Sequence, residues 1–388
     1  MKKRPLRVLF LPVDDGGCGW YRVRIWHKMF KKMDNVESLI IETKDKPSEK
    51  QQHEAIANAD VVVARLSGIP YIRVIKEDID PHKPIVFDHD DNTMEILPSS
   101  EHYRDFGTQD AYAYIDGTAK PIWVTGEGDF NRFKNLWNQM TLIYALGSAD
   151  LITAPVQSLV DFYMQYGSKE TKGAVLPNSL DFNMWPEGKF KWDKRPENEI
   201  RIGWQGGISH LADWNEIGKT MGKVLKDYPE VTVHIMGSYF DNQFKSFEDR
   251  ITFYDWVPFE GYPARLATLG LDAAIIPLED KTFNRFKSEV KFTEFSKMGV
   301  PVLVKDIPPY NAVCKNKYTA YTYKDNKEFE VRLREMLDDL KGSKEMANKV
   351  VKNAQKWVKK ERNAVETAKK VVEAYKSILP EEVQEELL

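Results

Sequence analysis

Four short stretches bring together side chains that chemistry uses. Asp14-Asp15-Gly16-Gly17-Cys18-Gly19-Trp20-Tyr21-Arg22 follows the first apolar run of the chain. Glycines there let backbone N–H groups approach an anion at a helix start, although an ordinary tight strand–helix turn reads the same way. Gly-x-Gly-x-x-Gly is absent, so Gly16 and Gly17 are not part of a dinucleotide fingerprint. Phe87-Asp88-His89-Asp90-Asp91-Asn92 ends a second apolar run. Carboxylates crowded around a histidine repel one another, and they make sense as a general base, as partners for an acceptor hydroxyl or as a metal site. A helix-capping acidic run is the bland alternative. Gly203-Trp204-Gln205-Gly206-Gly207-Ile208-Ser209-His210 offers small residues at another strand end, with His210 placed either to meet a phosphate or to cap a helix. Finally, Arg285, Lys287, Ser288, Glu289, Val290, Lys291 and Glu294 combine cations, a hydroxyl and a helix start, which suits a diphosphate. Glu294, further into that helix, could accept hydrogen bonds from ribose hydroxyls.

The elements that must position these loops show a β-α-β rhythm. All-apolar runs predict strands over 7–13, 38–42, 60–65, 84–88, 149–155 and 173–178. Helical periodicity lies between them, over 21–32, 50–59, 71–77, 136–146 and 156–166. Strands without alternation imply a parallel sheet covered on both faces. The rhythm stops over 98–137, a polar stretch rich in aromatics that includes Tyr112 and Trp123. A long irregular insert of this kind is often functional. Residues 179–199 read as a linker, polar with Pro and aromatics. A second alternating run follows, with strands over 199–204, 231–236, 251–254, 273–277 and 300–304. Charged amphipathic helices over 327–341 and 343–377 close the chain. The expected architecture is α/β, with two Rossmann-like domains facing across a cleft: 1–178, then 200–355 beyond the linker, and a final helix over 356–388 crossing back to the first domain. Ligands of open α/β sheets sit at the carboxyl ends of strands, where all four stretches fall.

Composition narrows the function. The chain has 388 residues, enough for two or three domains at roughly 150 residues each. Its net charge of −3 excludes a protein that coats nucleic acid through bulk positive charge. With 42% hydrophobic and 30% charged residues it is neither disordered nor a membrane bundle. Cys18 and Cys314 are too few for a disulfide scaffold or a structural zinc site. The N-terminal apolar run is too short for a signal peptide, so a reducing cytoplasm is the expected location.

The chain resembles the GT-B glycosyltransferases of family 4, the glycosyl transferases group 1 type. The resemblance is carried by Ala149-Asp150-Leu151-Ile152-Thr153-Ala154, Leu176-Pro177-Asn178-Ser179-Leu180-Asp181, Gly203-Trp204-Gln205-Gly206-Gly207 and the segment from Lys287 to Val302. The Gly-Cys-Gly-Trp-Tyr-Arg start looks like a phage-like branch. The resemblance implies a nucleoside-diphosphate sugar, a UDP-sugar first, as co-substrate, with no metal and no further cofactor. It places Glu294 on the ribose and Trp256-Val257 at the base, and it wraps residues 287–290 around the sugar and diphosphate. Phe286 stands where the family has its first glutamate, and the usual Arg and Lys after the first strand of the second domain are missing near Gly207 and Asp213. Lys287, Lys291 and Arg285 are the cations left to take their place. Asp90, Asp91 and Lys287 are then the catalytic candidates. Gly16, Gly17, Gly206, Gly207 and His210 join the donor site, and Trp20, Tyr21, Asp88, Tyr112 and Trp123 are candidates for acceptor contact.

The implied reaction is transfer of a sugar to an acceptor hydroxyl, retaining by family resemblance. The acceptor classes left open are a modified phage DNA base, a glycan, as in cell-wall synthesis, and a protein. Residues 1–178 carry 22 basic and 25 acidic residues, so no net positive DNA face is evident. A sugar-nucleotide epimerase and a catalytically dead nucleotide-sugar-binding module are the rival readings.

Overall fold

The computed structural model describes residues 3–11, 14–42, 47–98, 103–109, 112–115, 118–121, 130–186, 196, 198–207, 210–238 and 245–388. They form two compact units. The first comprises Met1–Met94, Arg104–Asp181 and Ala364–Leu388, the second Glu95–Tyr103 and Phe182–Asn363.

The strands of the first unit are β1 (Leu6–Phe10), β2 (Val36–Ile40), β3 (Val61–Ala64), β4 (Ile85–Asp88), β5 (Tyr112–Ile115), β6 (Thr118–Pro121), β7 (Leu151–Ala154) and β8 (Lys172–Val175). All but β5 and β6 make one parallel sheet, in the order β2-β1-β3-β4-β7-β8. Its register sets Val8 against Val61, Val62 against Ile85 and Val86 against Leu151. The inner strands β3, β4 and β7 are buried along their whole length, which is why they read as nearly continuous apolar runs. Sequence order reverses between β1 and β3, so the crevice of this sheet lies beyond the carboxyl ends of those two strands.

In the second unit β9 (Ile200–Gly206), β10 (Val231–Gly237), β11 (Ile251–Tyr254), β12 (Ala273–Ile276), β13 (Val302–Lys305) and β14 (Tyr321–Tyr323) form another parallel sheet. Its order is β11-β10-β9-β12-β13-β14, with the reversal between β9 and β12. Similar rhythms in the two halves therefore conceal different topologies. The opening strand β1 lies second from its edge, and β9 lies third. The helix Leu211–Asp227 packs on this sheet through Trp214, Ile217, Met221, Val224 and Leu225, all buried in one core.

Several expectations need correction. The helix expected over 21–32 begins earlier, as a continuous run of Gly17–Gly19, Trp20–Arg24 and Ile25–Phe30 with a widened π-type turn in the middle. The irregular stretch expected over 98–137 contains the antiparallel hairpin of β5 and β6 and the start of the helix Arg132–Gly147, which Asn131 caps by accepting from the Lys134 N–H at 3.0 Å. Trp123 and the side chain of Tyr112 lie outside the described residues. β14 escapes sequence reading because it has only three residues, between Ala320 and Lys324; it pairs through Leu303↔Tyr321. The helix expected over 343–377 is two helices, Glu345–Glu361 and Ala364–Lys376. Arg362 leaves the helical conformation there and gives its guanidinium to Glu289, while the Ala364 N–H bonds to the Leu180 carbonyl. Polar residues at the break continue the amphipathic pattern and hide it.

Candidate functional site

At the strand ends of the first unit, Asp14 organises the loop after β1. Its Oδ1 accepts from the Gly16 and Gly19 N–H groups at 2.9 and 3.0 Å. A β-carbon on Gly19 would collide with the Asp14 carbonyl, so glycine there lets the helix start fold tightly over Asp14. Arg65, the residue after β3, bridges this loop to the next. One arm of its fork meets Asp14 Oδ2 at 2.9 Å, the other Asp90 Oδ1 at 2.7 Å. Burial would raise the Asp90 carboxyl, but the Arg65 guanidinium overrides it and holds the group below its usual value. Asp90 is thus a weak base, fitted to orient a hydroxyl more than to take its proton. The Cys18 thiol and the Asp90 and Asp91 carboxylates offer ligand atoms all within 4.8 Å of one another. Arg65 already supplies the cation at Asp90, which leaves that trio a poor metal site. Desolvation, with Asp90 and Asp91, pushes the Cys18 thiol well up.

Arg22 is the anchor beneath this surface. It is fully buried and forms a two-armed pair with Asp88, at 2.9 and 2.6 Å. It also donates to the Leu176 carbonyl at 2.5 Å and Asn178 Oδ1 at 3.0 Å. Thr153 Oγ1 donates to Asp88 Oδ2 at 2.6 Å. Asp88, expected to meet an acceptor, is instead committed to joining the ends of β4, β7 and β8. Trp20 and Tyr21, also expected at the acceptor, are buried. His89 is buried between Phe87 and Tyr163. Burial lowers it to about 4, against the pull of Asp90, so it is neutral near pH 7. Among the described residues neither of its ring nitrogens has a hydrogen-bond partner.

The second unit gathers its chemistry at the β9/β12 reversal. Glu294, from the helix Val290–Lys297, is buried at 3% exposure. Its Oε2 accepts from Gln205 Nε2 at 2.9 Å and from the Tyr262 hydroxyl at 2.8 Å. One turn earlier, Lys291 Nζ lies 2.9 Å from His210 Nε2, and His210 Nδ1 lies 2.5 Å from Asp213 Oδ2. Asp213 Oδ1 accepts from the Glu279 N–H at 2.6 Å and from Asn284 Nδ2 at 3.3 Å. That carboxylate therefore ties the loop after β9 to the loop after β12. Lys291 Nζ also sits 5.2 Å from the Trp204 ring centroid, a cation–π contact. Gly206 is required here, because a β-carbon on it would press into the Trp204 ring and His210. Burial, and then the Lys291 and Lys287 ammonium groups, push His210 well below its ordinary value.

The structure thus brings Gly206, His210, Lys291 and Glu294 together, with Lys287 close enough to lower both His210 and Lys291. Lys287 stacks 5.1 Å over Phe283. Gly207 and Ser288 lie half-buried beside these loops, and Val290 begins the helix that carries Lys291. Trp256 is exposed and Val257 half-buried after β11; the Trp256 ring lies 5.9 Å from that of Tyr262. Two expected donor contacts are otherwise committed. Arg285 is exposed and forks onto Asp280 at 2.6 and 2.9 Å, and Glu289 is buried and accepts from Arg362 Nε at 2.6 Å. Sequence reasoning missed Arg22, Arg65, Gln205, Asp213 and Tyr262. Arg22 interrupts an apolar helical run and Arg65 directly follows β3, and those positions were the available signals. Tyr262 gave none.

No protein-family model and no curated protein matches the sequence. Solved structures do. HepE of Anabaena, in complex with UDP-glucose, is 12% identical, with 96% of this chain and 100% of that chain covered at a TM-score of 0.62. Sucrose-phosphate synthase of Thermosynechococcus elongatus is 10% identical, covering 96% and 99% at 0.61. The catalytic domain of starch synthase IV from Arabidopsis thaliana, bound to ADP and acarbose, is 10% identical, covering 96% and 99% at 0.61. At such identities the likeness establishes the fold. The chain is an α/β protein of two Rossmann-like units, and its fold is GT-B. Among the described residues no helix is long and apolar enough to cross a membrane.

Proposed function

We propose that this protein is a glycosyltransferase that moves a sugar from a nucleoside-diphosphate sugar, UDP-sugar first, to an acceptor hydroxyl. The observation that carries the reading is the β9/β12 reversal. There the cations Lys287 and Lys291 stand beside a carboxylate, Glu294, oriented by Gln205 and Tyr262. Cations and helix-start N–H groups suit the leaving diphosphate, whose charge grows as the sugar bond breaks. A buried, oriented carboxylate suits ribose hydroxyls. The structural neighbours bound to UDP-glucose or ADP support the same choice of ligand.

Lys287 and Lys291 would stabilise the departing diphosphate. Asp91, with Asp90 held ionised by Arg65, would orient the acceptor hydroxyl. Retention of configuration rests on family resemblance. For the acceptor, a hydroxymethylated base in DNA and a glycan hydroxyl are the two classes to compare.

The test is a panel of UDP-, GDP- and ADP-sugars, with nucleotide release measured alone, with hydroxymethylated DNA and with glycans. Release that depends on an acceptor supports transfer and names the acceptor. Release of equal rate without any acceptor would favour hydrolysis or epimerisation. Binding without turnover would leave a nucleotide-sugar-binding module.

A further inference from the structure

The helix Glu345–Glu361 and its flanks concentrate positive charge. Residues 341–363 hold eight basic and two acidic side chains, in a chain whose net charge is −3. From Met346 to Lys360 there are five lysines and no acid. Lys349, Lys352, Lys356 and Lys359 follow one another by three, four and three residues, so they share one face of the helix. All four are exposed, and among the described residues none has a carboxylate partner. Like charges at these spacings repel, so the row works against the helix that carries it. Packing on the other face holds the helix in place, through the buried Ala347, Val350, Ala354 and Val358. Every exposed residue of the helix is polar. The row also has a direction. The helix runs antiparallel to Val290–Lys297: Gln355 Nε2 donates to the Lys297 carbonyl at 3.4 Å, the Trp357 and Phe292 rings lie 5.7 Å apart, and Arg362 Nε meets Glu289 at 2.6 Å. Its lysines therefore lead toward the helix start that carries Lys291. Partway along, Asn353 Nδ2 donates to the Tyr318 carbonyl at 3.0 Å and sets that exposed tyrosine beside the row.

We propose that this lysine row docks the phosphate backbone of duplex DNA and leads it toward the β9/β12 reversal. The proposal rests on the transferase reading for its purpose, and between the acceptor classes it chooses DNA. Charge complementarity with a linear polyanion is the ground for that choice. The row from Lys349 to Lys359 is ~15 Å long at the helical rise, about four steps of a duplex at ~3.4 Å per nucleotide of one strand. Four ammonium groups thus meet a comparable number of phosphates on one strand. Lysines are point charges on flexible stems, without the two-armed fork of arginine. They suit contacts that position a backbone and carry no base information. A membrane surface fits less well, because interfacial helices bury an apolar face in lipid beside their cations, and here that face is buried in the protein. A neutral glycan would leave the row uncompensated. The balanced charge of residues 1–178 does not oppose the proposal, since the row belongs to the second unit.

Fluorescence anisotropy of the full chain with a short labelled duplex of mixed sequence tests this, with no sugar nucleotide present and salt varied from about 50 to 200 mM. The expected result is binding whose logarithm falls against the logarithm of salt with a slope of about −4. The fourfold variant Lys349→Gln, Lys352→Gln, Lys356→Gln, Lys359→Gln should reduce that slope by about 3–4 and weaken binding more than tenfold at about 50 mM salt. Removing like-charge repulsion should leave the helix folded, which an unchanged melting temperature and unchanged UDP affinity would verify. A control variant takes three lysines exposed on the helix Leu211–Asp227, as Lys219→Gln, Lys223→Gln, Lys226→Gln. It should bind DNA nearly as the intact chain does. Absence of DNA binding at about 50 mM salt, or equal losses in the two variants, would overturn the docking. So would dependence on the row for phosphatidylserine vesicles in place of DNA. Each of these results leaves a transferase with a different acceptor standing. Failure of UDP, GDP and ADP to bind would instead remove the transferase reading, and the DNA titration would still decide the docking.

Discussion

Arg22 illustrates what a single buried charge does in this molecule. Five donors in a rigid fork let it satisfy Asp88, the Leu176 carbonyl and Asn178 together. Such a pair is weak evidence of stability in itself, yet breaking one side strands the other charge. Arg22→Met is therefore expected to destabilise the protein by about 3–5 kcal/mol, measured by urea denaturation. A double variant with Asp88→Asn should recover part of that loss. His89 makes a second prediction at this scale. In the unfolded chain it protonates near its ordinary value of 6.5, but in the fold only near about 4. Between those pH values the unfolded state holds more protons, so stability falls as pH drops through the window. His89→Phe should flatten that part of the stability–pH curve, by on the order of 2–3 kcal/mol at its acid end. Equal acid sensitivity in both proteins would count against burial as the cause.

Elements, more than residues, were legible from the sequence. The apolar runs marked β3, β4, β7 and β12 because strands buried on both faces keep few polar positions, here only Asp88 and Thr153, which bond to each other. β14 was illegible because three residues are too few to show any period. The false continuity over 343–377 has a different cause: Arg362 ends its helix through a tertiary bond to Glu289, and no local sequence signal accompanies it. The junction before it, between Asn326–Lys341 and Glu345–Glu361, is held by capping that the sequence also hides. Asp339, within the helix Asn326–Lys341, accepts from the Met346 and Ala347 N–H groups at 3.2 and 2.8 Å. These are first-turn donors of the helix Glu345–Glu361 that no helical carbonyl can satisfy. Asp339→Ala is expected to cost about 1–2 kcal/mol, read as a lower denaturation midpoint with an unchanged slope.

For the whole molecule, sequence spacing brought candidate residues to strand ends better than it told which of them stay free for a ligand. Every one of the four motif loops falls at a strand's carboxyl end, but the strand order that puts a reversal at β9/β12 could not be read from the second alternating run. What sequence could not supply was which polar side chains are used up inside the protein. Glu289 and Asp88 have the look of ligand groups, and each is bound instead to an arginine distant in sequence. Conversely, Asp213 and Tyr262 look ordinary until the fold sets them beside His210 and Glu294. Hydrogen exchange maps this at the scale of the chain. Adding UDP should slow exchange in 203–213 and 284–294, and raise the melting temperature in proportion to the logarithm of ligand excess. Protection spread evenly over both units, or absent from those two segments, would argue against a donor site at the β9/β12 reversal.

The return of Ala364–Leu388 to the first unit has a consequence for biosynthesis. The helix Ala364–Lys376 buries Ala368, Val371, Val372 and Tyr375 there. Ser179 and Thr367 share a hydrogen bond at 2.9 Å, and Arg4 and Leu388 are joined backbone to backbone. The sheet strands of the first unit, within residues 6–175, are thus made well before the segment that covers them. Until residues 364–388 have been made, its half-clad sheet must wait with sticky surface showing, and nascent-chain chaperones would have most reason to linger on that half.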